Sequence, residues 1–445
     1  MRSQLICLLL FGCLLSCTTR VEQNQANGVE SFYLGGIQVN EPDHQDWAES
    51  LKKAGMNTVS VTVYIRHGIW DEGNLWWRAE EPGILSEMDA AKAAGLEVIL
   101  IPRLLLDHFF EENKFLWHGM AMPKEEGEVK KWFEQYGRFL KQWAEIAEEK
   151  GVAMMAIGSE LRAMSRCRPV SQLPELERYY LSPQQQERYL QKHLEFSEEI
   201  SVKELWVRGA DNYQNLESYL KDEIAANAAW AQQVGFQEDP QPLQRINERR
   251  ALLRTEWKRL IREVRQIYSG QLTYAANFDN YQNVAFWEEL DVMGINAYFK
   301  LRTIEQDSQI LQNLHYSWDT TFNGIAQFQN QQAIQLPVLF TELGYINRKN
   351  CTVMPWEGSG FAVIENLARA NQLMIWEEQI QEEKERSLAI QALYEVTRHS
   401  PVPLIGILYW KLTTKAYHLP YEPFALHLKA EQPDSLQRAL MQFVK

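Results

Sequence analysis

Trp132–Lys150, then Gly151-Val152-Ala153-Met154-Met155-Ala156-Ile157-Gly158-Ser159-Glu160, is the stretch whose reading decides the fold. A helical segment stops at a glycine, which takes the left-handed position past the last turn. A short loop then feeds an apolar β-like run. The same order recurs at Trp47–Ala54, Gly55 and Thr58–Tyr64, and at Met88–Ala94, Gly95 and Val98–Ile101. It recurs again at Trp257–Ser269, Gly270 and Leu272–Ala276. Helix then strand, repeated, means βα units and a parallel sheet.

Eight strands are expected: Phe32–Val39, Thr58–Tyr64, Glu97–Pro102, Ala153–Ile157, Leu272–Ala276, Val292–Asn296, Pro337–Thr341 and Leu404–Trp410. Helices are readable between nearly all of them, and Asp434–Phe443 supplies a final one. The fold class is therefore α/β, a (β/α)₈ TIM barrel. An open doubly wound sheet is the competing architecture. No Gly-x-Gly-x-x-Gly follows a strand, so a dinucleotide fold has no support. One connection is oversized. Arg162–Arg249 follows the fourth strand and carries helical stretches at Gln184–Glu199 and Tyr213–Gln233, broken by Pro169, Pro174, Pro183, Pro240 and Pro242. It reads as a large helical insertion, about 165–248, in a loop of the active-site face, where it is expected to wall the cleft. The acidic run Glu377–Glu385 reads as a solvated helix face.

The 445 residues are 45% hydrophobic, enough for a large core. A net charge of −14 argues against nucleic acid and anionic membrane surfaces as partners, but not against a neutral sugar polymer. Fifteen Trp are many for this length, and two uses are open: packing between barrel and helices, and stacking on pyranose rings.

The N-terminus reads as an export signal. Arg2 precedes an apolar Leu5–Leu15, too short to span a bilayer, and Leu14-Leu15-Ser16-Cys17 resembles a bacterial lipobox. Residues 1–16 are then a lipoprotein signal peptide, Cys17 the lipidated residue, 17–30 a flexible tether and 31–445 the TIM-barrel domain. The expected location is the bacterial cell envelope, on the outer membrane where the host has one. Cys167 and Cys351, a few residues past Glu160 and Glu342 respectively, are open to pairing or to remaining thiols.

Ile157-Gly158-Ser159-Glu160 and Leu339-Phe340-Thr341-Glu342 each end an apolar strand in one glutamate. A carboxylate there is costly and needs a reason. Two of them are what glycoside hydrolysis uses. Other strand ends add Arg66, Arg103, Asn277, Asp279, Asn280, Tyr298 and Trp410, and the loop after the third strand adds His108, Trp117 and His118. Amides and charged groups suit paired hydroxyls, and aromatics suit ring faces. No Cys/His spacing suggests a metal, and no cofactor is expected.

Leu272-Thr273-Tyr274-Ala275-Ala276-Asn277, Gly294-Ile295-Asn296-Ala297-Tyr298 and Phe340-Thr341-Glu342-Leu343-Gly344-Tyr345 resemble glycoside hydrolase family 113, of clan A. The resemblance covers most of 32–428 outside the insertion. It implies a retaining enzyme on β-linked polysaccharide or oligosaccharide, β-1,4-mannan above all, with Glu160 as acid/base and Glu342 as nucleophile. It implies that Tyr298 holds Glu342, with Arg66 or Arg103 supplying positive charge, and that Trp410 floors the cleaved sugar's subsite. The acid must begin protonated, so a raised Glu160 pKa is expected. Ser159 stands where many clan members have Asn, which leaves the 2-hydroxyl contact to another residue, with Asn277 the candidate. The alternative class is a lipoprotein that captures glycan without cutting it.

Overall fold

The computed structural model describes residues 32–444 apart from 79–80, 114–115, 167–181, 200–201, 208–213, 235–241, 304–308, 357–360, 367–370, 378–382 and 420–421. The signal peptide, Cys17, the tether and Cys167 lie outside the described residues, so the Cys167–Cys351 pairing does too. Cys351 itself is buried.

All eight expected strands are present: β1 Tyr33–Gln38, β2 Thr58–His67, β3 Glu97–Leu106, β4 Met154–Ser159, β5 Gln271–Asn277, β6 Met293–Asn296, β7 Val338–Leu343 and β8 Leu404–Thr413. Each pairs in parallel with the next, and β1 pairs with both β8 and β2, so the sheet closes into an eight-stranded TIM barrel. β2, β3 and β8 run three to four residues further than their expected ends. These extensions carry the chain into the mouth of the barrel.

Gly55, Gly95 and Gly151 take positive φ, as expected of glycines that stop helices. The residue after each returns its N–H to the carbonyl five residues back, for instance Val152 to Ala147 at 2.9 Å. Gly270 is different. Its helix, Pro242–Arg265, has already ended, and the chain turns through Tyr268, whose hydroxyl is bonded to the Val152 carbonyl.

A shell of apolar side chains packs between barrel and helices. Trp47, Trp132, Trp143, Trp257, Trp287 and Trp318 are fully buried, which assigns these six to packing rather than to sugar contact. Between β5 and β6 only short 3₁₀ turns, Tyr281–Asn283 and Trp287–Glu289, cover the barrel, and the Trp287 ring fills the place of a helix.

The insertion holds helices Pro183–Glu199 and Leu216–Val234, as its pattern predicts. It also contains a strand, Val202–Val207, antiparallel to Asn371–Glu377, which pairs with Phe361–Asn366. Two loops, after β4 and after β7, thus build one small sheet outside the barrel. The acidic segment is also corrected. Glu377 ends a strand, and Glu385 is 1% exposed, ion-paired to a fully buried Arg302. Among the described residues no helix is long and apolar enough to cross a membrane.

Candidate active site

Both glutamate-bearing strands carry a register shift just before the glutamate. Ala156 and Ser159 of β4 lie opposite Thr273 and Ala275 of β5, three residues against two. Phe340 and Glu342 of β7 lie opposite Ile295 and Asn296 of β6, two against one. An extra residue reverses the alternation of side chains, which re-aims the next one. In β7 the outward series Val338 and Phe340 packs in the shell. Without the shift Glu342 would follow them. Glu160 is re-aimed further by its own backbone, at φ 55, a left-handed conformation that costs a non-glycine residue about 1 kcal/mol.

Glu342 is 4% exposed. The Arg103 guanidinium pairs with its Oε1, and the Tyr298 hydroxyl donates to Oε2 at 2.8 Å. Arg103 also lies 5.2 Å from the centroid of the Trp410 ring. Glu160 accepts at Oε1 from Asn277 Nδ2 at 2.7 Å and meets His118 Nε2 at Oε2, 3.1 Å away. The structure thus brings together seven of the residues expected from sequence: Glu160, Glu342, Arg103, His118, Asn277, Tyr298 and Trp410.

The others do different work. His108 bonds through Nε2 to the Leu116 carbonyl at 2.9 Å and closes its own loop. Asp279 is ion-paired with Arg162 at 2.8 Å, and buried Asn280 donates to the Ser165 hydroxyl at 3.1 Å. These two pin the turn of chain after Glu160. Arg66 is exposed near the end of β2, opposite Trp76 of a short antiparallel strand. Trp117 sets its ring edge-on to His118, with centroids 4.8 Å apart.

Three further residues belong to the mouth. Tyr64 lies beside Arg103 in the β2–β3 register and acts on its charge. Asn296 is fully buried and accepts at Oδ1 from the Thr341 hydroxyl at 2.8 Å. Its amide, without a full hydrogen bond of its own, still favours the charged form of Glu160. Lys411 sets its ammonium 4.6 Å from the Trp410 centroid. The signal for Asn296 was period-two alternation, since it shares a strand face with Tyr298. Lys411 has φ 78, so regular alternation gave no sign of it.

Burial pushes both carboxyls up, and the neighbours decide the outcome. At Glu342 burial, with the negative Glu160 adding to it, prevails over Arg103 and Tyr298 and leaves the pKa raised. At Glu160 burial is outweighed by the His118 hydrogen bond and the Arg103 charge, and the pKa is lowered. The raised Glu160 expected from sequence is therefore reversed in the free site, because a loop histidine supplies a donor.

No curated protein matches this chain. Among solved structures, one described as a GH113 β-1,4-mannanase superposes with a TM-score of 0.56 at 16% identity, over 93% of this chain and 99% of that one. The GH113 β-mannanase AaManA from Alicyclobacillus acidocaldarius gives 0.53 at 14% identity, over 93% and 98%. At such identities the likeness is one of fold. The sequence model of Glycoside Hydrolase Family 113 matches residues 40–169 and 243–389, on either side of the insertion. That match spans more than half of the chain and takes in both glutamates, and the chain belongs to glycoside hydrolase family 113.

Proposed function

We propose that this glycoside hydrolase cuts β-1,4-linked mannan or its oligosaccharides by double displacement, with Glu342 as nucleophile and Glu160 as acid/base. The observation that carries the reading is the unequal setting of two strand-end carboxylates in one mouth. Glu342 is gripped by a cation and a hydroxyl donor, which fix its direction and favour its charge. Glu160 is held by groups that leave its proton exchangeable. Glu342 attacks the anomeric carbon while Glu160 protonates the departing oxygen. Water, deprotonated by Glu160, then releases the sugar from Glu342. The two carboxyls titrate as a pair. Sugar in the mouth decides which holds the proton, because Arg103 and Tyr298 stabilise charge on Glu342 while the glycosidic oxygen draws the proton to Glu160. Trp410 floors the subsite of the cleaved sugar, and Asn277 takes the 2-hydroxyl contact that Ser159 is too short to make. Mannan as the substrate is supported by the family and by its solved relatives, which are β-mannanases.

The test is product analysis of residues 29–445 on β-linked manno-, gluco- and xylo-oligosaccharides, with Glu342→Ala as control. Cleavage of the manno-series, lost in the variant, is expected, and product lengths distinguish endo from exo cutting. Binding of a series without cleavage would replace this reading with glycan capture. Lipid anchoring at Cys17 belongs to the same proposal and rests on the Leu14–Cys17 motif. Radiolabelled palmitate should enter the full chain and not Cys17→Ala.

A further inference from the structure

Resting on the double-displacement reading, we propose that His118 is a positioning residue that shares the proton of Glu160, so that the acid/base of this enzyme is a His118–Glu160 pair rather than an isolated carboxyl.

A bond between an imidazole nitrogen and a carboxylate oxygen contains one proton, on one side or the other. His118 Nε2 and Glu160 Oε2 are 3.1 Å apart. The other oxygen, Oε1, faces the Asn277 amide at 2.7 Å, and an N–H donor cannot accept a proton. The proton of Glu160 is therefore confined to Oε2, the oxygen that His118 meets. The two side chains are 29% and 16% exposed, so water competes weakly for it.

The loop is built to hold the imidazole there. His118 opens a 3₁₀ turn, His118–Met120. The Trp117 ring folds over the turn so closely that a Cβ at Gly119 would come within 2.2 Å of it. Only glycine fits under that ring, and the ring's edge contact fixes the plane of His118.

The charged and titratable groups that act on Glu160 are His118, Arg103, Glu342, Tyr298 and Tyr274. Arg103 and His118 hold the Glu160 carboxyl low, which would make it a poor proton store on its own. The proton that Glu160 does not keep stays in the same bond, on His118. In the first step the bond from Glu342 to the anomeric carbon forms and the glycosidic C–O bond breaks. The proton in the pair passes to the departing oxygen and leaves neutral imidazole beside carboxylate. That arrangement raises the proton affinity of Glu160. In the second step water attacks the anomeric carbon and the bond to Glu342 breaks. The water's proton returns to the pair, which ends as it began.

The experiment compares wild type, His118→Asn and His118→Ala on a manno-oligosaccharide and on a dinitrophenyl β-mannoside, whose leaving group needs no acid. For His118→Asn turnover of the oligosaccharide should fall about 10²-fold with KM nearly unchanged. Release of dinitrophenol in the first turnover should be spared, and the basic limb should move to higher pH as the charge that holds Glu160 low is lost. Equal losses on both substrates in both variants, or an unchanged pH profile, would overturn the proposal. A second readout needs no turnover: the ¹⁵N signal of the His118 imidazole in wild type and in Glu160→Gln. The two pH curves are expected to differ. Identical curves would overturn the pair, whereas an enzyme that cuts no mannoside but whose two curves differ would lose only its substrate.

Discussion

Glu342 and Glu160 end comparable strands and are held in opposite ways. Glu342 takes its partners from the barrel wall: Arg103 within β3, and Tyr298 two residues past β6. Its backbone carbonyl also accepts from Ala297 at 2.6 Å. Glu160 takes Asn277 from the end of β5, but its other partner, His118, stands on a loop turn, and its own backbone is left-handed. The difference matches what each carboxylate must do. A nucleophile needs a fixed direction and donors that favour its charge against burial, and the barrel wall supplies both. An acid/base needs a partner with which to trade a proton, and a loop can bring one.

The sharpest way to break this comparison is to neutralise each carboxylate in turn. Glu342→Gln is expected to cost ~10⁴-fold or more in turnover on every substrate, because no other group can form the covalent bond. Glu160→Gln should match that loss on an oligosaccharide. On a dinitrophenyl glycoside it should still release one equivalent of phenol in a burst, then stall. Burst kinetics check both variants. If they lose the burst alike, the division of labour is wrong.

The strand-end residues of this arrangement were legible in the sequence; the loop residue His118 was named too, but nothing in the sequence separated it from His108, Asp279 and Asn280. An apolar run ending in a lone glutamate exposes its own anomaly, so Glu160 and Glu342 stood out without any structure. Arg103 was readable for the same reason, and Tyr298 through the resemblance of Gly294–Tyr298 to the family's sixth-strand motif. The two register shifts were invisible, because an extra residue changes no residue type. His108, Asp279 and Asn280 share the polarity of true site residues, and only their partners — a carbonyl, an arginine and a serine — reveal that they shape loops. Glu385 misled in the other direction. Its run of acids reads as solvated, and the arginine that buries it lies 83 residues away in the chain.

Glu385 gives the second test, because it braces the side of the mouth that carries Tyr298 and Glu342. Its carboxylate accepts from Arg302 Nε at 3.0 Å, from the Thr352 hydroxyl at 2.5 Å and from the Asn350 N–H at 2.8 Å. These bonds lock the loop after β6 to the loop after β7, which also share the Leu301 N–H to Thr352 carbonyl bond at 2.9 Å. Burial pushes Glu385 up, but Arg302 and Thr352 outweigh it and hold the carboxyl low. Glu385→Ala leaves a buried guanidinium without its counter-charge and should destabilise by about 3–5 kcal/mol in urea denaturation. A loss below about 1 kcal/mol would mean that the rigid side owes its rigidity to the strands alone.

Glu87 is a buried carboxylate held by neither a cation nor a histidine among its described partners, and it carries the smallest expected effect. It lies on the helix Pro82–Ala93, 7% exposed, and burial pushes it up to about 7 against the opposing donors Gln38 and Trp47. The folded state therefore binds a proton that the unfolded chain, near 4.5, has already released. The stability tied to that proton is fully present below about pH 4.5 and is lost as pH rises through 7. His67 works the other way. It is fully buried and pushed down to about 4, so its contribution is present above 6.5 and is lost as pH falls through 4. Between about 4.5 and 6.5 the contributions of these two groups have opposite signs and offset each other. Glu87→Gln copies the protonated form at every pH. It should match the wild type at pH 4 and exceed it by at most about 3 kcal/mol at pH 8. Across the middle window the gap between variant and wild type should open steadily as pH rises. Denaturant titrations at pH 4, 5.5 and 8 read all three points. A variant no more stable than wild type at pH 8 would mean that Glu87 has a partner as effective as those of Glu385, and that burial without a grip is not what sets it apart.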